Sequence, residues 1–452
     1  MTTGVPRASF LERARFAMTY AFPSLLRGAL IPQPFWTELA TRLNTGRWAV
    51  ATVERLSERH GGRSLLLRGA LGETLLILTT EDVRRVLDSP VEVFALDARE
   101  KQRALEPFAP NALNASPPSL HVQRRPFNEA VLDYGHEPHR FSERFLAIVG
   151  QEITAMLATA SVLDYERSLA GFRRISRRCV LGDAAADDTE LSEEHSRLRE
   201  DGNWLGLKVW NRGRNARLRA SMDERIRGYV DTPEPGTLVS IFPSAPQAPE
   251  TDPNGQVPFW LMALDAVRTV VANALALLAT YPAARARVVD EIAAADASHG
   301  HGTVAGLAEL RFVRACVQES IRLWPAAPTL VRRTTTDTDW HGTTVPAGTR
   351  VLIPAAAFHR ARRLPYANRL APELWLEGSE DSDDWSLNLF SRGGAQCAGR
   401  NLALVLATAS LAELLRQAEF RLLKPSLSPD RPLPYAMNPL TTRFAVKRAN
   451  AK

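Results

Sequence analysis

The chain has 452 residues, of which 45% are hydrophobic and 23% charged, the composition of an ordinary globular protein rather than a disordered one. Its net charge of +6 is carried mostly by scattered arginines, without the aromatic-interleaved basic stripe of a nucleic-acid binder. Three widely spaced cysteines, Cys179, Cys316 and Cys397, form no CxxC pair, which argues against a zinc site or disulfide framework and for a reducing, cytoplasmic setting.

Residues 1–44 read as the N-terminal segment of a soluble chain. Its apolar run "FAMTYAFPSLLRGALIP" (16–32) is broken by Pro23 and Arg27 and is shorter than the roughly 20 apolar residues of a membrane span, leaving at most contact with a membrane surface. "RSLLLRGALGETLLIL" (63–78) predicts strand, turn and strand. "TTEDVRRVLDS" (79–89) predicts a helix capped by Thr80. Residues 107–118 read as a loop, and 121 to about 205 as mainly helical. Five prolines and a glycine make 242–258 a connection. The stretch 259–281 is the most apolar helix and belongs in the core, yet it carries Asp265 and Arg268. A helix over 305–324, a small sheet over 336–354, a last helix from about Arg400 to Glu419 and a proline-rich loop over 426–439 complete the chain. The expected fold is mainly α with small β-sheets. Residues 45–452 form one domain, with a small β-rich part at about 45–80 and 331–380.

The stretch "FSRGGAQCAGRNLA" (390–403) sets Cys397 in a glycine-rich loop just before the last helix. A helix N-terminus and its free amides favour a thiolate, and Gly393, Gly394 and Gly399 allow tight turns and close approach of a flat ligand. Phe390 adds an aromatic wall. Two readings stand on these residues alone: a small buried hydrophobe at a helix start, or a thiolate ligand to haem iron.

Four stretches in order turn this into a resemblance. Phe390, Gly393, Cys397 and Gly399 meet F-x-x-G-x-x-x-C-x-G and resemble the haem-binding loop of cytochrome P450s. Glu319 and Arg322 resemble the family's ExxR pair, whose spacing puts both on one helix face. "HVQRR" resembles the H-x-x-x-R of bacterial members, which implies His121 and Arg125 as partners of the haem propionates. "RRTTTDTDWHG…VPAGTRVLI" resembles the strand after the ExxR helix, with Arg332 as a third propionate cation. The resemblance runs from about residue 45 to the C-terminus. It implies haem b between the 259–281 helix and the Cys397 loop, and Cys397 as the iron ligand.

Three positions depart from the family pattern. Counting back from Tyr281-Pro282 places Asp265 at the acid and Ala266 at the alcohol of the oxygen-activating helix, so the acid is kept and the hydroxyl is missing. Asp265 is then either a proton relay or a partner of Arg268, three residues on. Ala395 stands where a propionate-binding Arg or His is expected. Leu374 stands where an Arg completes the ExxR triad, with Arg369 or His359 as possible substitutes.

The resemblance implies a monooxygenase that takes O2 and electrons from a separate ferredoxin-type donor and its reductase, in secondary metabolism by analogy. Arg392 and Arg400 would receive the donor. A peroxygenase, dehydratase or isomerase, motivated by Ala266 and Arg268, and a non-catalytic haem sensor are the alternatives. The implied small-molecule pocket is lined by Phe94, Leu96, Phe108, Met262, Ala263, Thr329, Leu330, Met437 and Asn438. No nucleic acid and no membrane span are expected.

Overall fold

The computed structural model describes the chain except for residues 1–3, 29, 70, 71, 377, 379–383 and 449–452. Helices dominate, and the longest apolar one, Pro253–Thr280, runs through the main core. By length and composition it could cross a membrane, but most of that stretch is buried inside the protein. It packs against helices Tyr165–Val180, Arg311–Leu323 and Arg400–Gln417. We refer to it as the central helix.

The central helix starts six residues earlier than the prolines suggested. Pro253 sits in its first turn, where a missing N–H costs nothing, and the Asp252 side chain caps the Gly255 amide. The residues before it, Val239–Ser244, form a 3-10 turn. The helix ends at Thr280, before Pro282. A similar correction applies near the N-terminus: Thr79, not Thr80, caps the helix Thr80–Asp88 by accepting from the Asp82 amide. The expected 305–324 helix is two, Val304–Glu309 and Arg311–Leu323.

A five-stranded sheet flanks the helical part, in the order Leu65–Gly69, Gly72–Leu76, Arg350–Ile353, Leu330–Thr334 and Phe94–Ala95. Only the Gly72–Leu76 and Arg350–Ile353 pair is parallel. In this register Arg332 lies opposite Val351 in the sheet interior. A three-stranded sheet joins Val162–Leu163, Arg443–Arg448 and Ala418–Lys424. Cys179 and Cys316 are buried, and burial pushes both thiols up. They are inert core residues.

Candidate active site

Gly399 caps the helix Arg400–Gln417, and the chain reaches it through a strapped loop. The Cys397 amide donates to the Phe390 carbonyl at 2.8 Å, and the Gln396 amide to the Gly393 carbonyl at 3.0 Å. The Arg125 guanidinium donates to the Gln396 carbonyl at 2.6 Å, and the Tyr134 hydroxyl to the Gln396 side chain at 2.8 Å. Gly393 is irreplaceable here. Its φ is +67°, and a Cβ would stand 2.0 Å from the Leu87 carbonyl oxygen. Gly394 and Gly399 have room for a side chain, so the need for glycine falls on one position of the three.

Cys397 is accessible, in contrast to the other two cysteines. Protein nevertheless surrounds its thiol closely enough for burial to push its pKa up, while the Gly399 amide and the charges of Arg125 and Arg400 pull it down. The accessible thiol thus lies within reach of two cations and a backbone donor. The central helix also borders open space. Ala263 is exposed and Met262, Ala266 and Thr269 are half-buried, while Leu261, Leu264, Val267 and Arg268 are buried. The helix that follows Cys397 packs on this central helix, so the accessible thiol and the accessible stripe stand on neighbouring elements.

Cationic groups gather on the same side. Arg332 is 3% exposed, and burial lowers its pKa to about 10. It donates to the Ser391 hydroxyl at 3.1 Å, which ties its strand to the cysteine loop. Burial and the charges of Arg125, Arg332 and Lys101 hold the His121 imidazole neutral, with a pKa near 4. Its Nε2 is buried without a hydrogen-bond partner. Burial, then the charge of Arg332, lowers the Lys101 ammonium to about 7. Among the described residues, no carboxylate forms an ion pair with Arg332 or Lys101. Arg125 is partly committed, to Glu129 at 2.7 Å as well as to the loop.

These groups fit the haem that the sequence resemblance implies. Buried cations and an orphaned imidazole nitrogen are costly unless an anion completes them, and two propionates are such anions. Lys101 was missed by sequence reasoning. It supplies a cation toward a site where Ala395 offers none. The only signal was that it is one of just five lysines in an arginine-rich chain.

The Glu319–Arg322 pair is fully buried, with contacts of 2.6 and 2.7 Å. The expected third member is not an arginine. The Trp375 indole N–H donates to Glu319 Oε2 at 3.1 Å and the Ala371 amide to Oε1 at 2.8 Å. Arg369 and His359 contribute only backbone carbonyls, both accepting from Arg322 at 3.0 Å. The next residue along from Leu374 thus completes the carboxylate's shell with a neutral donor.

Asp265 does not pair with Arg268. Its Oδ2 lies 2.6 Å from Arg199 Nη1, on the helix Thr189–Gly202. Arg268 turns the other way, over the Tyr165 ring at 4.4 Å, and donates to the Thr269 hydroxyl at 3.0 Å. The spacing misled because a same-face neighbour on one helix competes with a cation from another. Asp265 also borders a small cleft lined by Arg173, Arg177, Ser192 and His195.

The expected pocket is only partly assembled. Met262 and Ala263 lie on the accessible stripe, and Thr329 and Leu330 are half-buried beside the sheet. Thr329 shares a hydrogen bond with the Tyr20 hydroxyl. Phe94 belongs to the core under the five-stranded sheet, edge-on to Trp340. Phe108 and Met437 are main-core residues, Phe108 against His195. Leu96 is buried. Asn438 is structural: its amide donates to Glu38 at 2.7 Å and its oxygen caps Leu440. Arg392 is also corrected. It is buried against the Trp385 ring rather than displayed on the surface, and Arg400 is half-buried. His139 and His301 are structural, His139 bonded to the Val131 carbonyl and His301 to Glu413.

Residues 261–444 match the family model for cytochrome P450. A cyclooctat-9-en-7-ol 5-monooxygenase of Streptomyces melanosporofaciens is 32% identical over 204 residues, 42% of this chain and 43% of that protein. Cytochrome P450 4c3 of Drosophila melanogaster is 29% identical over 157 residues, 34% of this chain and 29% of that protein. The alignments thus span less than half of these relatives' lengths. The solved structure of retinoic acid bound cyanobacterial CYP120A1 superposes with a TM-score of 0.71 over 88% of this chain and 94% of the other, at 16% identity.

Proposed function

The chain belongs to the cytochrome P450 family, and from that premise we propose that it is a haem-thiolate monooxygenase inserting one atom of O2 into a hydrocarbon-rich small molecule. The observation that carries the reading is the accessible Cys397 thiol in a loop strapped by Arg125, with Arg332, His121 and Lys101 awaiting an anion. Bound haem supplies the iron that activates O2, and a thiolate ligand favours cleavage of the O–O bond.

The chain's own residues do the rest. Cys397 supplies the thiolate, favoured by the Gly399 amide and by Arg125 and Arg400. Arg332, Lys101 and His121 would hold the propionate charge and orient the ring. Asp265 borders the cleft with Ser192 and His195, one residue before Ala266, and is the acid on the proton path. Ala266 offers no hydroxyl, so an ordered water or a hydroxyl of the substrate would complete the proton path. Arg268 is engaged with Tyr165 and Thr269, which leaves the peroxide alternative resting on Ala266 alone. Met262 and Ala263 present apolar surface to the substrate. The Streptomyces relative, named for a cyclic alcohol with a single hydroxyl, supports the substrate class and a role in secondary metabolism. The electrons come from a separate ferredoxin-type donor and its reductase, in the cytoplasm.

The test is turnover under isotopically labelled O2 with a ferredoxin and reductase, using the Streptomyces relative's alcohol as the first probe. One labelled oxygen in the product is expected. Turnover driven only by hydrogen peroxide contradicts the proposal.

A further inference from the structure

The small cleft that Asp265 borders lies where the helices Tyr165–Val180 and Thr189–Gly202 meet the central helix. Its lining carries two arginines, Arg173 and Arg177, and one carboxylate, Asp265. That carboxylate is already matched by Arg199 at 2.6 Å. Arg268, 5% exposed, adds a cation within electrostatic reach of Arg173 and Asp265, and its Nε has no hydrogen-bond partner. Among the described residues, the one ion pair that these guanidinium groups make is Arg199 with Asp265.

The other arginines are held by neutral groups. Arg177, 3% exposed, donates to the Ala185 carbonyl at 2.8 Å, to the Ala186 carbonyl and to the Ser192 hydroxyl. Arg173 donates to the Ser196 hydroxyl at 2.5 Å. Asp187 and Asp188, whose charges reach Arg177, pair with Arg174 and Arg225 instead. Buried cations without a counter-charge are costly, and neutral acceptors offset only part of that cost.

His195 also lines the cleft. It is 4% exposed, and its Nε2 has no hydrogen-bond partner. Burial, then the charges of Arg199 and Arg173, disfavour its imidazolium. An anion answers both deficits. It offsets guanidinium charge, and it accepts from an Nε2–H, the tautomer that its presence favours. The Ser192 hydroxyl accepts from Arg177, which leaves its own proton free to donate. The free space holds about one water-sized particle. That excludes phosphate, sulfate and carboxylates and admits a monatomic ion.

We propose that this cleft is a chloride site, with Arg173, Ser192 and His195 as donors, and that the bound ion slows turnover. The second part rests on the oxygenase reading. An ion here stands beside Asp265 and excludes water from the adjoining space, which slows proton delivery.

The experiment is a chloride titration of the haem-loaded protein at constant ionic strength, with gluconate as the replacing anion because it is too large for the cleft. Binding is read from the line width of the chloride magnetic resonance signal and from an anomalous difference map of crystals grown in bromide. Saturable broadening is expected, with a bromide ion within reach of Arg173 and His195. Arg173→Gln, checked for normal haem content, should weaken binding about tenfold. Arg421→Gln, an exposed arginine outside the cleft, should change nothing. Turnover should fall about twofold or more as chloride replaces gluconate in the parent and stay constant in Arg173→Gln. No saturable broadening, equal binding by Arg173→Gln and the parent, or a bromide map with no ion in the cleft would overturn the site. Binding with unchanged turnover would overturn its effect on the proton path alone. Neither binding readout needs oxygen chemistry, so the site and the oxygenase reading fail independently.

Discussion

Arg199 Nη1 and Asp265 Oδ2 meet at 2.6 Å, joining the helix Thr189–Gly202 to the central helix one residue before Ala266. Both side chains are mostly shielded, so the attraction is little screened by water. The same arginine holds the Leu30 carbonyl, so one guanidinium ties together three parts of the chain. Asp265→Asn keeps the shape and removes the carboxylate. It should lower turnover about a hundredfold or more with normal haem content. A double-mutant cycle of Asp265→Asn and Arg199→Gln, read by urea denaturation, should give a coupling of about 1–3 kcal/mol. Unchanged turnover in Asp265→Asn would remove Asp265 from the proton path.

Lys101 links charge to pH. Its pKa in the folded, haem-free chain is about 7 against an ordinary 10.5, because burial and then Arg332 disfavour the ammonium. The folded chain therefore binds fewer protons than the unfolded chain between those two values, and its stability rises with pH across that window. Lys101→Met should flatten the rise. In the loaded protein the Lys101 ammonium would pair with a propionate, so Lys101→Met should release haem to a scavenger about tenfold faster or more. Equal haem release by both proteins would contradict the assignment.

Trp375 takes the place of a charged partner to Glu319. Its indole bond, 3.1 Å long, is buried with the carboxylate it serves. Trp375→Phe keeps the ring and leaves one buried carboxylate lone pair unserved, at a cost of about 1–3 kcal/mol. Chemical denaturation should show this loss, and Leu374→Ala should not reproduce it through Glu319.

Gly393→Ala tests the cradle. The added methyl would need the space of the Leu87 carbonyl, 2.0 Å away, and a φ of +67°. The loop must shift, and haem occupancy should fall severalfold, measured as haem per chain after purification. Gly399→Ala, with its nearest atom at 3.8 Å, is the matched control for the haem-free fold.

The mainly α fold and the order of the chemistry-bearing stretches were legible because they rest on local pattern. The apolar central helix, the Glu319/Arg322 spacing and the glycines around Cys397 are each visible within a few residues. What was not legible depends on elements distant in sequence. Arg199 reaches Asp265 across 66 positions, and Trp375 reaches Glu319 across 56. Spacing on one helix favoured Arg268 only because it could not see these competitors. Phe94, Phe108 and Asn438 were misassigned for a similar reason. An apolar or amide side chain near a pocket in sequence can turn toward the core or a backbone cap, and only packing decides which. The start of the central helix was hidden because prolines read as a loop also suit a first turn.

The central claim is that Cys397 holds the haem iron through a thiolate. It is tested most directly by the reduced carbon-monoxide difference spectrum of freshly purified protein beside Cys397→Ser. The account predicts the red-shifted Soret band of a thiolate-ligated carbonyl complex in the parent protein and its loss in the variant, with Cys179→Ser and Cys316→Ser retaining it wherever they fold. A parent spectrum lacking that band, or a Cys397→Ser spectrum that keeps it, would contradict the claim.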